Sequence, residues 1–227
     1  MVVETGHLRA DARRNRERIV ATASACFAAD GLGCQVAEIA RRAGVGNATV
    51  FRHFPTKHDL LIAVFDQRLR SMLEAADAAE QIEDPGEGLR TFLEELVKQH
   101  VSDNGLKQLV AEQFKGDERL GAVRDEILAR LSALVDAAKA AGAVRPDVEP
   151  IDCIVLVNGV ANAVSGLEEQ RPGLYLRYLE MAFAGIRPQP DGTPPLPATA
   201  PTPQELEDAM QSKVGQPGCV PAADGAA

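Results

Sequence analysis

The run Gly44-Val45-Gly46-Asn47-Ala48-Thr49 sets two short hydrogen-bonding side chains behind a glycine turn, and Phe51, Arg52, His53 and Lys57 follow within the next positions. Residues of these types make contacts and do not break bonds. Amides and hydroxyls bond base edges or phosphates, and cations neutralise phosphates. Bond-breaking chemistry has no comparable constellation in the chain: there is no phosphate loop, no Gly-x-Ser-x-Gly and no His-Glu-x-x-His. Of the four histidines, His7 stands near the amino terminus, and His53 and His58 fall in the stretch just described. Catalytic residues are therefore not expected. Cys26, Cys34, Cys153 and Cys219 form no Cys-x-x-Cys pair and have no histidine at metal-ligand spacing, so neither a metal nor a cofactor is expected, and a reducing cytoplasm suits them.

A net charge of -9 argues against a nucleic-acid partner until the chain is divided. Residues 1–60 carry 9 Lys+Arg against 6 Asp+Glu, a balance of +3, and the remainder carries 15 against 27, a balance of -12. A mildly basic head can meet phosphates while distance and salt screening hold the acidic body away. Hydrophobic residues make up 45% and aromatics only 4% of the 227 residues, with Ala, Leu and Val dominating, which favours an all-α fold with an ample core. The longest apolar stretch, Cys153 to Leu167, contains Asn158 and Asn162 and is too short to span a bilayer.

The elements that must position the contact residues follow from periodicity. Residues 1–12 show none and read as a flexible arm. From about Arg13 the positions Ile19, Val20, Ala23, Cys26 and Phe27 fall on one face of a helix stopped by Asp30-Gly31. Val36, Ile39 and Ala40 mark a short helix ended by Ala43-Gly44, and a second short helix ends near Phe54. Two short helices about a glycine turn make a helix-turn-helix. Thr56, with Asp59 three residues on, caps a long helix through Leu60, Leu61, Val64, Phe65, Leu69 and Met72 to about Ala79. Further helices are expected through Leu89–Val97, Leu106–Phe114, Leu120 to about Gly142, Pro150 to Glu168, and Gly173 to Ile186. Beyond Arg187 prolines crowd a polar stretch that reads as a disordered tail, 188–227, with a transient helix between Gln204 and Val214.

Arg18 to Phe65, RIVATASACFAADGLGCQVAEIARRAGVGNATVFRHFPTKHDLLIAVF, resembles the DNA-binding domain of the TetR family of transcriptional regulators over about a fifth of the chain. The resemblance rests on the Ala-Cys-Phe-Ala-Ala-Asp-Gly end of the first helix, Ile39-Ala40 before Ala43-Gly44-Val45, Thr49 to Phe54, and Lys57 with Asp59-Leu60-Leu61. It implies DNA contact by Gln35, Gly46, Asn47, Ala48, Thr49, Phe51, Arg52, His53 and Lys57. Three positions depart from the pattern. Phe51 stands where tyrosine is usual and lacks its phosphate-seeking hydroxyl, and Gln35 and Gly46 stand where threonine and serine usually cap helices two and three. Read from the residues alone, Val45, Val50 and Phe54 are core, and His53 either seals the junction of helices three and four or touches DNA. Arg41 and Arg42 suit ordinary solvated charges equally well. Arg9, Arg13, Arg14 and Arg16 could reach phosphates or simply solubilise the arm.

The resemblance also implies a second domain, 59–187, after the helix-turn-helix domain, 13–58. It would bind a small-molecule effector and form a homodimer through its last two helices, since one short recognition helix binds too weakly alone. Phe65, Leu69, Phe92, Leu96, His100, Gln113, Phe114, Ile127 and Asn158 are the candidate pocket lining. Ile154, Val157, Asn162, Leu167, Tyr178, Leu179, Phe183 and Ile186 are the candidate dimer contacts. The function so implied is a cytoplasmic repressor that leaves a palindromic operator when its effector binds. The alternative is a helical protein-binding module that has lost specific DNA affinity.

Overall fold

Apolar residues spaced at three and four bury one face of each helix in turn. The computed structural model describes residues 3–101, 118–168, 170–189, 192 and 194–214, and among these the regular elements are all helical. Helix α1 spans Val3–Asp30 and α2 Val36–Arg42, with a single 3-10 turn, Gly31–Gly33, between them. Helices α3, Asn47–His53, and α4, Lys57–Glu80, complete the amino-terminal unit. Then come α5, Pro85–Val101; α6, Glu118–Ala140; α7, Pro150–Val164; α8, Leu174–Ile186; and α9, Pro203–Val214. The expected helix through Leu106–Phe114 lies outside the described residues.

Two expectations change. Helix α1 begins ten residues before Arg13, so residues 3–12 are its opening turns and not an arm. This stretch has no apolar stripe, but Leu8, Arg9, Ala10 and Ala12 are strong helix formers. Extending a helix already nucleated by a buried face needs no further nucleation. In the tail, residues 194–196 are held and α9 is formed. Arg145, in the corner between α6 and α7, is only 6% exposed, and a guanidinium removed from water needs partners. It donates to both oxygens of Asp147, at 2.6 and 2.9 Å, and to the Pro194 carbonyl. The Leu196 N–H donates to Asp147 Oδ2 at 2.9 Å. The Arg145 guanidinium, aided by that N–H, holds the Asp147 carboxyl down at about 2.

The core forms two clusters. Ile19, Phe27, Ile39, Val50, Phe54, Leu60, Leu61, Val64 and Phe65 meet in the first. Met72, Ala76, Leu89, Phe92, Leu93, Val97, Leu131, Val135, Val157, Leu179 and Phe183 meet in the second. Helix α4 supplies both, and half-buried Leu69 packs against each. Its start is fixed by a reciprocal cap, in which Asp59 N–H donates to Thr56 Oγ1 at 3.1 Å and Thr56 N–H to Asp59 Oδ2 at 3.0 Å. Its far half packs most extensively on α6, where Arg130 reaches Asp77 at 2.9 Å and Glu80 at 2.7 Å. Among the described residues no helix is long and apolar enough to cross a membrane.

The α4–α5 corner depends on Gly88, because a Cβ there would stand 2.7 Å from the Ala79 carbonyl oxygen, a backbone atom. Alanine would recover about 1 kcal/mol of helix propensity, but overpacking against an atom that cannot rotate away costs about 1–3 kcal/mol. Gly88→Ala is therefore expected to lower stability by about 1 kcal/mol in denaturant titration. An increase in stability would show that the corner yields.

Candidate nucleic-acid interface

Helix α3 is aimed by the turn before it. Gly44 takes φ +64, a left-handed conformation that glycine adopts without strain. This lets its N–H reach the Arg41 carbonyl at 3.2 Å and the Val45 N–H reach the Ala40 carbonyl at 3.0 Å, which closes α2 in a Schellman turn. Val50 and Phe54 then enter the first core at 1% and 3% exposure. The opposite side of α3 presents Asn47, Ala48, Phe51 and Arg52 to solvent, with Thr49 half-buried at the edge. Phe51 is 47% exposed, which is unusual for a phenylalanine.

Neither short helix has a side-chain cap. Gly46 offers none, and Gln35 turns its Nε2 back to donate to the Gly33 carbonyl at 3.1 Å. Arg41 and Arg42 are engaged, not merely solvated. Both donate to Glu38, Arg41 at 2.7 and 2.8 Å and Arg42 at 2.6 Å, and together they hold its carboxyl at about 2, Arg41 contributing first. Arg42 also reaches Asp30 at 3.2 Å, tying α2 to the end of α1. Lys57 places its ammonium 5.9 Å from the centre of the Phe27 ring. Arg16 places its guanidinium 5.1 Å from the Phe54 ring, directly behind α3.

The other predicted sites separate by burial. Leu69, Phe92, Leu96 and Ile127 all belong to the second cluster or pack on it. Phe65 does not, because its register on α4 turns it into the first cluster. His100 is half-buried with Nδ1 2.8 Å from the Leu96 carbonyl, and since a carbonyl only accepts, this nitrogen carries the hydrogen. Asn158 is half-buried on α7. Gln113 and Phe114 lie outside the described residues.

Of the predicted dimer contacts, Asn162, Leu167 and Tyr178 are exposed and Ile154 is half-buried. Val157, Leu179, Phe183 and Ile186 are instead buried within the second cluster, because α7 and α8 pack on α5 through that stripe. The face left open carries Val155, Gly159, Asn162 and Ala163 on α7 and Tyr178, Met181, Ala184 and Gly185 on α8. Met181 is 61% exposed there and Val155 41%. Each stands on the side of its helix opposite the buried stripe.

His53 ends α3. It is half-buried against Phe54, ring centres 6.3 Å apart, and its buried Nε2 has no hydrogen-bond partner among the described residues. Burial first, then the charges of Arg52 and Arg16, push its pKa below the ordinary 6.5. The folded chain thus favours the neutral ring, whereas the unfolded chain takes up a proton near 6.5. Stability from the neutral ring is present above that pH and lost as pH falls below it. His53→Gln is expected to flatten the fall in melting temperature between about pH 7 and pH 5. An unchanged fall would place the acid sensitivity elsewhere.

Residues 19–64 match the family described as bacterial regulatory proteins, tetR family, and residues 84–188 match the SbtR-like transcriptional regulator C-terminal domain. A search of curated protein sequences found no match. Among solved structures, a TetR transcription regulatory protein from Mycobacterium vanbaalenii is 37% identical, with 79% of this chain and 99% of that one covered and a TM-score of 0.62. A TetR transcriptional regulator from Streptomyces coelicolor is 30% identical over 77% and 99% of the two chains, with a TM-score of 0.61. The fold is shared at 18% identity, 76% and 97% coverage and a TM-score of 0.60 with AibR, solved in complex with isovaleryl coenzyme A and operator DNA. The helix-turn-helix, its exposed α3 and the helical body behind it thus belong to a DNA-binding transcriptional regulator, and this chain is a member of the TetR family.

Proposed function

We propose that the protein is a homodimeric repressor, not an enzyme, that acts in the cytoplasm and leaves its operator when a small, largely apolar effector binds the carboxy-terminal domain. The observation that carries the reading is the two-sidedness of α3. Val50 and Phe54 anchor it in the first core while Asn47, Ala48, Phe51 and Arg52 face outward on the basic head. In this reading Asn47 bonds a base edge or phosphate, Thr49 and Phe51 make apolar contact, and Arg52 and Lys57 neutralise phosphates. Gln35, Gly46 and Ala48 bring their backbone close to the groove, and His53 supports α3 from behind.

The effector would lie among Leu69, Phe92, Leu96 and Ile127, with His100 and Asn158 as polar contacts. A regulator of the same fold was solved in complex with isovaleryl coenzyme A, whose short branched acyl group is the kind of apolar moiety this lining would take. Binding there and binding of DNA would each favour a different spacing of the two α3 helices through α4, and their coupling is reciprocal.

The dimer would form on the open face of α7 and α8, where Gly159, Ala163, Ala184 and Gly185 permit close helix approach around Val155, Leu167, Tyr178 and Met181. Met181→Glu would bury an unpaired charge in each half of the contact, a cost of several kcal/mol. Sedimentation should then show dimer dissociation at concentrations at least about a hundredfold higher than for the wild type. Unchanged association would place the interface elsewhere.

Selection of duplexes from a random pool at two salt concentrations tests the central reading. An enriched palindrome is expected, bound with a steep salt dependence and weakened about tenfold or more by Asn47→Ala, and by Lys57→Ala with a shallower salt slope. No enrichment even at low salt would favour a protein-binding module.

A further inference from the structure

Helix α4 turns one face inward along its length, and Arg68 stands on that face. It follows Val64 by four positions and precedes Met72 by four, and since both of these are buried the three share one stripe. Arg68 is half-buried beside Leu69, which packs on both clusters. A guanidinium is costly to draw out of water, and burial pushes the pKa of Arg68 below its ordinary value. A residue serving packing alone would be apolar here.

Hydrogen-bonding groups from three helices gather at this position. Arg68 Nη2 donates to Ser24 Oγ on α1 at 3.2 Å. Ser71 Oγ donates to the Arg68 carbonyl at 2.8 Å and accepts from Gln99 Nε2 on α5 at 3.4 Å. Hydroxyls and amide N–H groups can complete the shell of an anion held by a guanidinium. Glu95, which accepts from Gln99 at 3.2 Å, is already paired with Lys98 at 3.1 Å. Phe92, Leu96 and Gln99 follow one another at four and three positions on one face of α5, so apolar lining runs on from the polar groups for about 10 Å of helix axis.

We propose that Arg68 anchors the charged group of the effector, a carboxylate on an apolar chain, with Ser71 and Gln99 as donors beside it and the chain lying along Leu69, Leu96 and Phe92. The proposal rests on the effector-binding reading of the carboxy-terminal domain and narrows the ligand to amphiphilic acids. One guanidinium balances one charge, in a part of the chain whose balance is -12, which selects a monoanion over a doubly charged phosphate monoester. A bidentate pair with a carboxylate is stronger than a bond to a neutral hydroxyl, so capture of the guanidinium competes with its tie to Ser24. The ligand's charge would thus act where α1 is seated on α4, between head and body.

The test is calorimetric titration of the full chain with straight-chain carboxylates from butanoate to dodecanoate and with the matching primary alcohols, for wild type, Arg68→Gln and Arg68→Lys. Wild type is expected to bind its best carboxylate about tenfold or more tighter than the alcohol of the same length. Arg68→Gln should bring the carboxylate down to the affinity of the alcohol and leave alcohol binding unchanged, which also reports that the variant is folded. Arg68→Lys keeps the charge and should keep the carboxylate preferred. The proposal is overturned if wild type binds acids and alcohols alike, or if Arg68→Gln retains the preference, and the effector reading then survives on alcohol binding. Should Arg68→Gln fail to fold, Arg68→Lys decides, because an anion site keeps the preference with either cation and a purely structural guanidinium does not. If neither series binds the wild type, this inference and the apolar-effector reading fall together.

Discussion

Helix α4 is the constraint on which the remaining structure depends. Twenty-four residues of one continuous helix bury Leu60, Leu61, Val64 and Phe65 in the first core and Met72, Ala76 and Ala79 in the second. At 1.5 Å per residue this is a strut of about 36 Å. Leu69 packs on both clusters where they meet, so no flexible linker separates them. The reciprocal Thr56–Asp59 cap holds one end, and the Arg130 pairs with Asp77 and Glu80 hold the other against α6. Helix α4 is thus the one element whose side chains build both clusters among the described residues.

Most of this was legible in the sequence because the signals were local. The Thr56–Asp59 spacing marks a helix start, Ala43-Gly44 marks a helix stop, and the apolar spacing of Leu60 to Met72 marks a buried stripe. The missing caps at Gln35 and Gly46 were legible for the same reason, since a residue without a suitable acceptor cannot cap. What spacing alone did not separate was non-local. Helix α7 is apolar on most of its circumference, and α8 carries Tyr178 and Met181 away from its buried stripe, so both offer more than one face of plausible contacts. The most hydrophobic members, Val157, Leu179, Phe183 and Ile186, fill the protomer's own core, leaving Val155 and Met181 outside. For α7, which stripe turns inward is decided by its neighbours, here α5.

The two ends of the chain show the same limit. Residues 3–12 carry propensity without periodicity, and only their attachment to a buried helix makes them helical. Arg145 and Asp147 look like an ordinary corner in the sequence. In the structure they form a paired donor and acceptor that grips the main chain at residues 194 and 196, almost fifty positions away. A clamp on backbone atoms leaves no trace in the side chains of the segment it holds.

The central claim is that α4 transmits between a DNA-contacting head and an effector-binding body as one rigid element. Hydrogen exchange along α4, measured with and without the selected DNA duplex, tests it most directly. The account predicts that DNA slows exchange continuously from Leu60 through Met72 to Ala79, into the half of α4 buried against α6, well away from the bound duplex. Protection that ends near Leu69 and leaves Met72 to Ala79 unchanged would show that the two cores do not communicate through this helix.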